Sequence, residues 1–404
     1  MTQDFWLKNV RTEIGFHQNE AYVDRTDTKM IHLHIKDGVF SEMIEDATLI
    51  PKNSQQIDGG GQLLTPALVE KHCHLDKSKL GVPWEPIMPA KNIVERFESE
   101  IVALNQLALP LKQRAKNLLN LEVQHGVTFF RSHIDIHPKV GLSYLEQVMD
   151  TLNDYDKKIG YELVAFPQHG LLRTHSQQLM KDALRNGATF VGGVDPATVD
   201  DDLEGSLMTT FDLATEFNAP IDIHLHNRDD AGRETIRRII QLTEASQLEG
   251  KVFMSHAFGL NDFQGEERQE VFTALARQNI GIVSSVPLTP NTMPPLMELK
   301  SYGVKVHLGC DNIYDSWSPY GTGNLSDKLA RFGEMSGLTS QTQLTQALGL
   351  VTNHQTALDE QGNISWPKVG DDATFLLTTA SCSAEFVARQ IPVTLSYHKG
   401  NQIL

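Results

Sequence analysis

Eight short apolar runs, spaced between residues 63 and 349, constrain the fold of this chain more than any other feature of its sequence. Each run is typical of a strand that is buried on both faces, and helix-periodic sequence separates it from the next run. This alternation predicts a parallel sheet with helices packed outside it, and eight strands favour a closed (β/α)8 TIM barrel of the α/β class. The predicted strands are Leu68–His74, Val127–His133, Tyr161–Phe166, Thr189–Val194, Ile221–His226, Val252–His256, Ile280–Ser285 and Val304–Cys310.

Both ends of the chain carry a different, strand-rich pattern. Alternating residues such as Lys29–Ile35 precede the turn Asp58–Gly61, and strand-like segments return near the carboxyl end. We therefore predict a small β-sandwich domain built from residues 1–62 and 363–404, beside a barrel domain of residues 63–362.

Composition and charge exclude several classes of function. The 404-residue chain has a formal net charge of -16, which would repel phosphate backbones, so nucleic acid is not an expected partner. No apolar run approaches the roughly 18 residues that a membrane helix needs, and Met1–Trp6 lacks the basic and apolar pattern of a secretory signal. Three cysteines without a close pair argue against disulfides and a structural zinc site. We expect a cytoplasmic protein with no membrane partner.

Polar side chains stand at the carboxyl ends of several predicted strands, which is where TIM barrels carry their functional groups. Alternation along a strand places His72 and His74 on the same face, so both can bind one ion. Imidazoles with one carboxylate suit zinc or iron, and a bound metal lowers the pKa of water to about 7, which yields a hydroxide nucleophile. The pattern predicts a catalytic centre with one divalent metal, zinc preferred to iron. The residues at these strand ends are His72, His74, His224, His226, His256 and Asp311.

A single His-x-His motif is weak evidence for a metal site, and the sequence contains a second copy in His32–Leu33–His34. We expect this second copy on a solvated face of the small β-domain, because histidine is often partly exposed. The predicted metal centre therefore depends on four strand ends that supply imidazole or carboxylate together. Core packing gives no reason for polar groups at those ends.

The same region resembles a known family. It is similar to the cytosine deaminase branch of the amidohydrolase superfamily, and most of all to members of that branch that hydrolyse N-alkylammelides. The similarity covers essentially the whole barrel. The segments that carry it are His72–Lys77, Phe166–Gln168, Val191–Thr198, Glu204–Ser206, Ser255–His256, Cys310–Asn312 and Asp315–Trp317.

The resemblance implies a ligand set and two catalytic roles. Asp311 would be a ligand and would also accept a proton from the attacking water. His256 would orient the hydroxide and stabilise charge on the tetrahedral adduct. The implied metal ligands are His72, His74, His224 and Asp311.

The resemblance also implies a pocket for a small N-heterocyclic substrate. Gln168 would read the ring, and Trp317 would form an aromatic wall, although plain packing is the alternative for this tryptophan. Lys77 and Asp195 match polar positions of the ammelide-type enzymes, and they could equally be a structural pair. A homo-oligomer is a further implication of the resemblance, for which the sequence shows no interface.

Two positions depart from the cytosine deaminases. Those enzymes carry a proton-shuttling glutamate where this chain has Asn227, and an amide cannot relay a proton. Their metal-binding aspartate is followed by a second aspartate, where this chain has Asn312. Both changes remove a carboxylate, which argues against cytosine as the substrate. His226 could take over the shuttle because the pKa of histidine lies near neutrality, and a purely structural role is the alternative for this residue.

These expectations describe a hydrolase of non-peptide C–N bonds that removes an amino or alkylamino group from a cyclic amidine of pyrimidine, triazine or pterin size. A cyclic amide hydrolase of the dihydropyrimidinase type is an alternative, but such enzymes need a metal-bridging lysine on the fourth strand, and Thr189–Val194 has none. A catalytically silent binding protein is a second alternative, suggested by Asn227. The small zinc deaminases are excluded because the chain lacks Cys-x-x-Cys. The sequence leaves the ring, the leaving amine and the metal unidentified.

Overall fold

The computed structural model describes residues 3–404, so the first two residues of the predicted segment 1–62 lie outside it. Within these residues, no helix combines the length and hydrophobicity that a bilayer span requires. The strands are β1 (Asp4–Asn19), β2 (Tyr22–Lys36), β3 (Val39–Ile44), β4 (Gln56–Asp58), β5 (Leu63–Pro66), β6 (Leu68–Cys73), β7 (Val127–Asp135), β8 (Gly160–Phe166), β9 (Phe190–Val194), β10 (Ile221–His224), β11 (Val252–Ser255), β12 (Gly281–Ser284), β13 (Val306–Leu308), β14 (Phe375–Thr378), β15 (Val393–His398) and β16 (Asn401–Gln402). The helices are α1 (Ile93–Gln106), α2 (Leu111–Gln124), α3 (Ser143–Asn153), α4 (Gln177–Arg185), α5 (Leu203–Phe217), α6 (Asp229–Ala245), α7 (Gly265–Arg277), α8 (Leu296–Ser301), α9 (Leu325–Met335), α10 (Gln341–Ala347) and α11 (Ser383–Arg389).

Strands β6 to β13 form the barrel. They pair in parallel and in sequential order, and at least one helix lies between each strand and the next. A parallel bridge between Cys73 and Asp311 closes the gap between the first and last strands. The predicted TIM barrel is therefore confirmed, and each of the eight predicted strands overlaps one of these strands.

The seam of the barrel depends on a buried carboxylate. Glu70 accepts hydrogen bonds from the backbone N–H groups of His72 (2.7 Å) and Cys310 (2.9 Å), so it links β6 to the segment after β13. Burial raises the pKa of Glu70 to about 7, and these donors oppose the rise. Glycine is required at Gly309, because a Cβ atom there would lie 2.6 Å from Cβ of His72. The closure between β6 and the segment after β13 thereby places His72 and Asp311 side by side.

The barrel interior below the strand ends holds a set of paired charges. Arg131 lies between Phe190 and Phe253, with its guanidinium carbon 4.2 and 4.0 Å from the two ring centroids. The guanidinium donates to Glu162 (2.7 Å) and to Asp222 (2.9 Å). Because Arg131 and Asp222 are both buried, their pairing offsets the cost of removing two charges from water. Asp222 is thereby fixed beneath the carboxyl end of β10.

A second, mixed sheet combines strands from both chain ends, in the order β16–β15–β14–β5–β1–β2–β3 with β4 beside β1. A bridge between Val39 and Asp372 brings β3 close to β14, and the rings of Phe40 and Phe375 pack 5.8 Å apart. The sheet therefore surrounds an apolar core that is separate from the barrel core. The predicted additional domain from both chain ends is confirmed. The sheet includes β5, whose four residues the predicted boundary assigns to the barrel, and the boundaries stay a proposal.

The second His-x-His motif lies on β2, and the expectation that it faces solvent is wrong for His32. This side chain is buried, and it lies against the bulge that interrupts the pairing of β1 with β2 between Leu7 and Val10. Its Nδ1 accepts a hydrogen bond from the backbone N–H of Asn9 (3.0 Å). His34 is partly exposed, and it hydrogen-bonds Asp4 (2.7 Å) and Ser41 (2.9 Å).

Candidate active site

Five imidazoles and one carboxylate converge at the carboxyl end of the barrel. The ring centroid of His72 lies 4.3 Å from that of His133 and 4.6 Å from that of His224. The Oδ1 atom of Asp311 lies 3.4 Å from Nε2 of His72 and 3.3 Å from Nε2 of His74. Five different strands, or the residues directly after them, supply this cluster. Its members are His72, His74, His133, His224, His256 and Asp311.

Hydrogen bonds to Nδ1 orient the two histidines of the first strand. Nδ1 of His72 bonds the hydroxyl of Ser255 (2.8 Å), and this hydroxyl donates to Asp222 (2.7 Å). Because Ser255 gives its proton to the carboxylate, it accepts from His72 and leaves the lone pair of that ring on Nε2. Nδ1 of His74 donates to the carbonyl of His133 (3.3 Å) with the same effect. Both Nε2 atoms therefore present lone pairs near Asp311.

Two residues of the cluster have strained backbone conformations. His256 has a φ of 67° and Asp311 a φ of 61°, in the left-handed region that residues other than glycine rarely adopt. Backbone hydrogen bonds hold both in place, from His256 to Val283 (2.8 Å) and from Asp311 to His72 (2.7 Å). Strain of this kind is concentrated at functional sites, where the surrounding structure maintains it.

Several buried ring nitrogens of the cluster have no hydrogen-bond partner. They are both nitrogens of His224, both nitrogens of His133 and Nε2 of His72. An unpaired buried polar group costs about 1–3 kcal/mol, so native proteins seldom leave one without a reason. His133 is a residue that sequence reasoning missed, although it ends a predicted strand in the same way as His256 does.

The charge states of these side chains suit a cation. Burial lowers the pKa of His224 and of His256 well below the usual value. Burial alone would raise the pKa of Asp311, but His72 and His74 would donate to it when protonated and hold the pKa well below its ordinary range. A cation between these side chains replaces those protons. Neutral imidazoles and an ionised carboxylate are the forms that bind metals. The ligand atoms of His72, His74 and Asp311 lie within 4.8 Å of one another, so the side chains fit a divalent ion.

His226 stands beside the cluster with a carboxylate partner of its own. Its Nδ1 and its backbone N–H bond the two oxygens of Asp195, at 2.7 and 2.6 Å. Burial would lower the pKa of His226, but Asp195 raises it above the ordinary value. The ring stacks on His256, with centroids 4.4 Å apart, and lines the cleft above the cluster. Asn227 does not line the cleft, because it hydrogen-bonds Thr198 (2.8 Å) instead.

A small cleft opens above the cluster and encloses about 160 Å³. Pockets for drug-sized ligands have roughly 300–1,000 Å³, so this cleft suits a single-ring molecule. Of the predicted substrate-binding residues, Gln168, Asn312 and Trp317 line it. Phe166 also lines it and stacks on His224, with ring centroids 4.2 Å apart. The apolar walls are Ile93, Phe97, Phe166 and Val194.

Lys77 and Asp195 lie behind the cleft and do not line it. The ammonium of Lys77 donates to Oε1 of Gln168, and Asp195 supports His226. The buried Glu100 of α1 lies beside Lys77, with 3.5 Å between Nζ and Oε2. Sequence reasoning missed Glu100, because a carboxylate on an amphipathic helix gives no sign of its partners.

Known proteins resemble this chain in both sequence and structure. The sequence profile of the amidohydrolase family matches residues 111–402. The chain belongs to the amidohydrolase family. It is 36% identical over 406 residues to the Escherichia coli K12 protein YahJ, an alignment that covers 99% of this chain and 87% of YahJ. It is 30% identical over 277 residues to the N-isopropylammelide isopropyl amidohydrolase of Pseudomonas sp. strain ADP, covering 67% of this chain and 68% of that enzyme.

Solved structures extend the comparison to nearly the whole chain. The N-isopropylammelide isopropylaminohydrolase of Burkholderia multivorans superimposes with a TM-score of 0.86 at 26% identity, covering 99% of this chain and 98% of that one. The 5-methylcytosine deaminase of Klebsiella pneumoniae, at 23% identity, gives a TM-score of 0.80 with the same coverage and supports the fold alone. The predicted family, near cytosine deaminases and N-isopropylammelide hydrolases, is confirmed.

Family membership makes this chain a hydrolase of a metal-dependent family, and the imidazole cluster is suited to hold the metal. The identity of the metal, the substrate and the role of each site residue stay predictions.

Proposed function

We propose that this amidohydrolase removes an amino or alkylamino group from a small N-heterocycle by hydrolysis. The observation that carries the proposal is the set of unpaired imidazole nitrogens at the base of a cleft of about 160 Å³, beside Gln168 and Trp317. A single ring in this cleft contacts both side chains and the cluster at once. The similarity to N-isopropylammelide isopropyl amidohydrolase supports a substrate of the same class.

One divalent metal is part of the proposal. Three imidazoles and one carboxylate suit zinc, which we favour over iron. When bound, the metal supplies the Lewis acidity that makes water a nucleophile near neutral pH. Ser255 and the carbonyl of His133 keep His72 and His74 in the tautomer that binds through Nε2. The residues that would hold the metal are His72, His74, His224 and Asp311.

Asp311 acts on the proton of the attacking water, and His256 acts on the negative charge that develops at the attacked carbon. The ionised Asp311 accepts a proton from the water. Nε2 of His256 lies 3.9 Å from Oδ2 of Asp311, so its N–H can donate to the negative charge that develops on the ring adduct. A donor in such a position contributes about 2.7–4 kcal/mol to transition-state stabilisation.

His226 moves the proton to the leaving amine. Because Nδ1–H of His226 donates to Asp195, the other ring nitrogen is free on the side of the cleft. In this arrangement His226 takes the role of the proton-shuttling glutamate of cytosine deaminases. Asn227 cannot take that role, because an amide does not relay a proton. Asn312 would contact the ring directly, since it lines the cleft, whereas Asn227 bonds Thr198 and is not among the lining residues.

A panel assay tests the proposal. Metal-reconstituted protein is offered cytosine, isocytosine, ammelide, N-alkylammelides and pterins, and released ammonia or alkylamine is measured. We expect turnover of at least one compound, one metal ion per chain and no turnover after chelation. His224→Ala is the matched inactive control, because it removes a proposed ligand without narrowing the cleft.

Other outcomes distinguish the two alternatives. Two metal ions per chain with opening of dihydropyrimidines would favour a cyclic amide hydrolase. Binding of a heterocycle without release of any amine would favour a catalytically inactive binding protein. Asn227 is the only residue that suggests this alternative. Either result would contradict the proposed deamination.

The assembly and cellular location are further parts of the proposal. We expect a cytoplasmic homo-oligomer that acts on small molecules, with domains at residues 1–62 with 363–404 and at residues 63–362. Light scattering on the purified protein checks the oligomer, and cell fractionation checks the location.

A further inference from the structure

Glu100 on α1 connects two walls of the cleft from behind. Its Oε1 accepts a hydrogen bond from Nε1 of Trp317 (3.0 Å), and its Oε2 accepts one from Nε2 of Gln168 (2.6 Å). The side chain is only 2% exposed, so both oxygens are sealed from water. Each oxygen of this carboxylate therefore serves a residue that lines the cleft.

Charges on two sides fix the orientation of the Gln168 amide. The ammonium of Lys77 can only donate, so it faces Oε1, and the carboxylate of Glu100 can only accept, so it faces Nε2. Turning the amide around would place two donors together on one side and two acceptors on the other. Gln168 keeps one free N–H and one free lone pair, and their order along the wall is set by Lys77 and Glu100.

The same carboxylate holds the indole of Trp317. The single donor of the indole is used by Glu100, and the carboxylate of Asp315 accepts the backbone N–H of Trp317 (2.7 Å). Phe97, one turn before Glu100 on α1, packs against the indole with ring centroids 5.7 Å apart. Helix α1 therefore determines the position of both the polar wall and the aromatic wall.

We propose that Glu100 is a positioning residue that orients Gln168 and Trp317. With both side chains fixed, the cleft binds an oxo-substituted ring in a single orientation, through the C=O of the ring and its neighbouring N–H. This inference rests on the proposed function. One donor and one acceptor on Gln168 complement the lactam edge of such a ring. A ring bound in a single orientation always presents the same carbon atom to Asp311 and His256.

The substitution Glu100→Gln removes one acceptor without changing the size of the side chain. Glutamine has one oxygen, so either the indole or the Gln168 amide loses its acceptor and faces an NH2 group. Glu98→Gln is the matched control, because Glu98 lies two residues away on the same helix and is half-buried beside Lys139.

The first measurement is the indole N–H resonance of Trp317 in protein labelled with 15N-tryptophan. The chain has four tryptophans, and the signal that disappears in Trp317→Phe identifies this one. Because a carboxylate is a stronger acceptor than an amide, we expect Glu100→Gln to move the signal upfield and Glu98→Gln to leave it in place. A signal that stays in place in Glu100→Gln would overturn the inference.

The second measurement is steady-state kinetics on the panel compound that is turned over fastest. We expect Glu100→Gln to raise KM by about tenfold or more, as loss of a hydrogen bond to a charged group predicts, and to lower kcat by less. Glu100→Asp keeps the charge and both acceptors, so its KM should rise less. A fall in kcat at unchanged KM, or a larger KM for the aspartate variant, would overturn the inference.

The two proposals fail in different ways. If no panel compound is turned over, the proposed function fails, and the indole resonance still decides whether Glu100 positions Trp317. If Glu100→Gln does not fold, Glu100→Asp carries both measurements, with smaller shifts in the same direction. An aspartate variant with unchanged resonance and unchanged KM would contradict the inference.

Discussion

The two His-x-His motifs of this chain share a sequence pattern and differ in their surroundings. On β2, the ring nitrogens of His34 bond Asp4 and Ser41, and the ring stacks on Trp6 with centroids 4.8 Å apart. Nδ1 of His32 is also paired by the protein. At the end of β6, only the Nδ1 atoms of His72 and His74 are paired in this way, by Ser255 and by a backbone carbonyl. The Nε2 atoms face a carboxylate and further unpaired imidazoles.

The difference explains why we propose a metal site at one motif and not at the other. A partner behind each ring fixes the tautomer, and other strands supply lone pairs in front of it. The barrel meets both conditions because the carboxyl ends of its strands meet in one place. The mixed sheet meets only the first condition, a partner for the ring nitrogens. In the described residues, its other strands bring no further imidazole to this motif.

The largest expected effect comes from breaking the barrel motif. His74→Ala removes a proposed ligand, so we expect loss of bound metal and of measurable turnover, a larger effect than the about 10- to 100-fold loss seen for indirect partners. Metal content by mass spectrometry and amine release check this. His34→Ala, the matched change on β2, should preserve both, and equal losses in the two variants would remove the distinction between the motifs.

The next effect separates catalysis from metal binding within the cluster. His256→Ala removes a charge-stabilising donor that is not a proposed ligand. We expect kcat to fall by about 10²- to 10³-fold while one metal ion per chain is retained. The same two assays check this prediction, and loss of the metal would show that His256 is a ligand.

A smaller effect tests the partner behind the ring. Ser255→Ala removes the hydroxyl between His72 and Asp222, so we expect metal affinity to weaken by about tenfold, measured by competition with a chelating dye. Ser284→Ala is the control, because this buried serine on the neighbouring strand accepts only from the nearby backbone N–H of Val286 (3.2 Å). Unchanged affinity in Ser255→Ala would mean that packing alone orients His72.

The smallest effect is on stability, in the mixed sheet. His34→Ala removes two side-chain hydrogen bonds of a partly exposed ring, so we expect the free energy of unfolding to fall by about 1 kcal/mol. Denaturant titration of the apo protein measures this change. A fall in turnover at unchanged stability would connect the β2 motif to catalysis and contradict its purely structural role.

The barrel and part of its site could be predicted because they depend on local periodicity. The apolar runs that became β6 to β13 are bounded by polar residues, and alternation alone places His72 and His74 on one face. The left-handed backbone of His256 and Asp311 could not be predicted, because neither is a glycine and long-range backbone bonds impose it. The burial of His32 likewise depends on a non-local contact, the bulge of β1 that places the backbone N–H of Asn9 against its ring.

The supporting residues were harder to predict, because sequence spacing carries no information about their partners. Glu100 is 68 residues from Gln168 and 217 from Trp317, and it becomes informative only when the barrel closes. His133 ends its predicted strand as the proposed ligands do, but its position beneath them, next to Asp222, becomes visible only in three dimensions.

The central claim is that side chains from separate strands of the barrel mouth bind one metal ion. The most direct test is a crystal structure of zinc-reconstituted protein with anomalous diffraction at the zinc edge. We predict one strong peak per chain, about 2.0–2.2 Å from ligand atoms of His72, His74, His224 and Asp311. A barrel mouth without a peak, or a peak between His32 and His34, would contradict the claim.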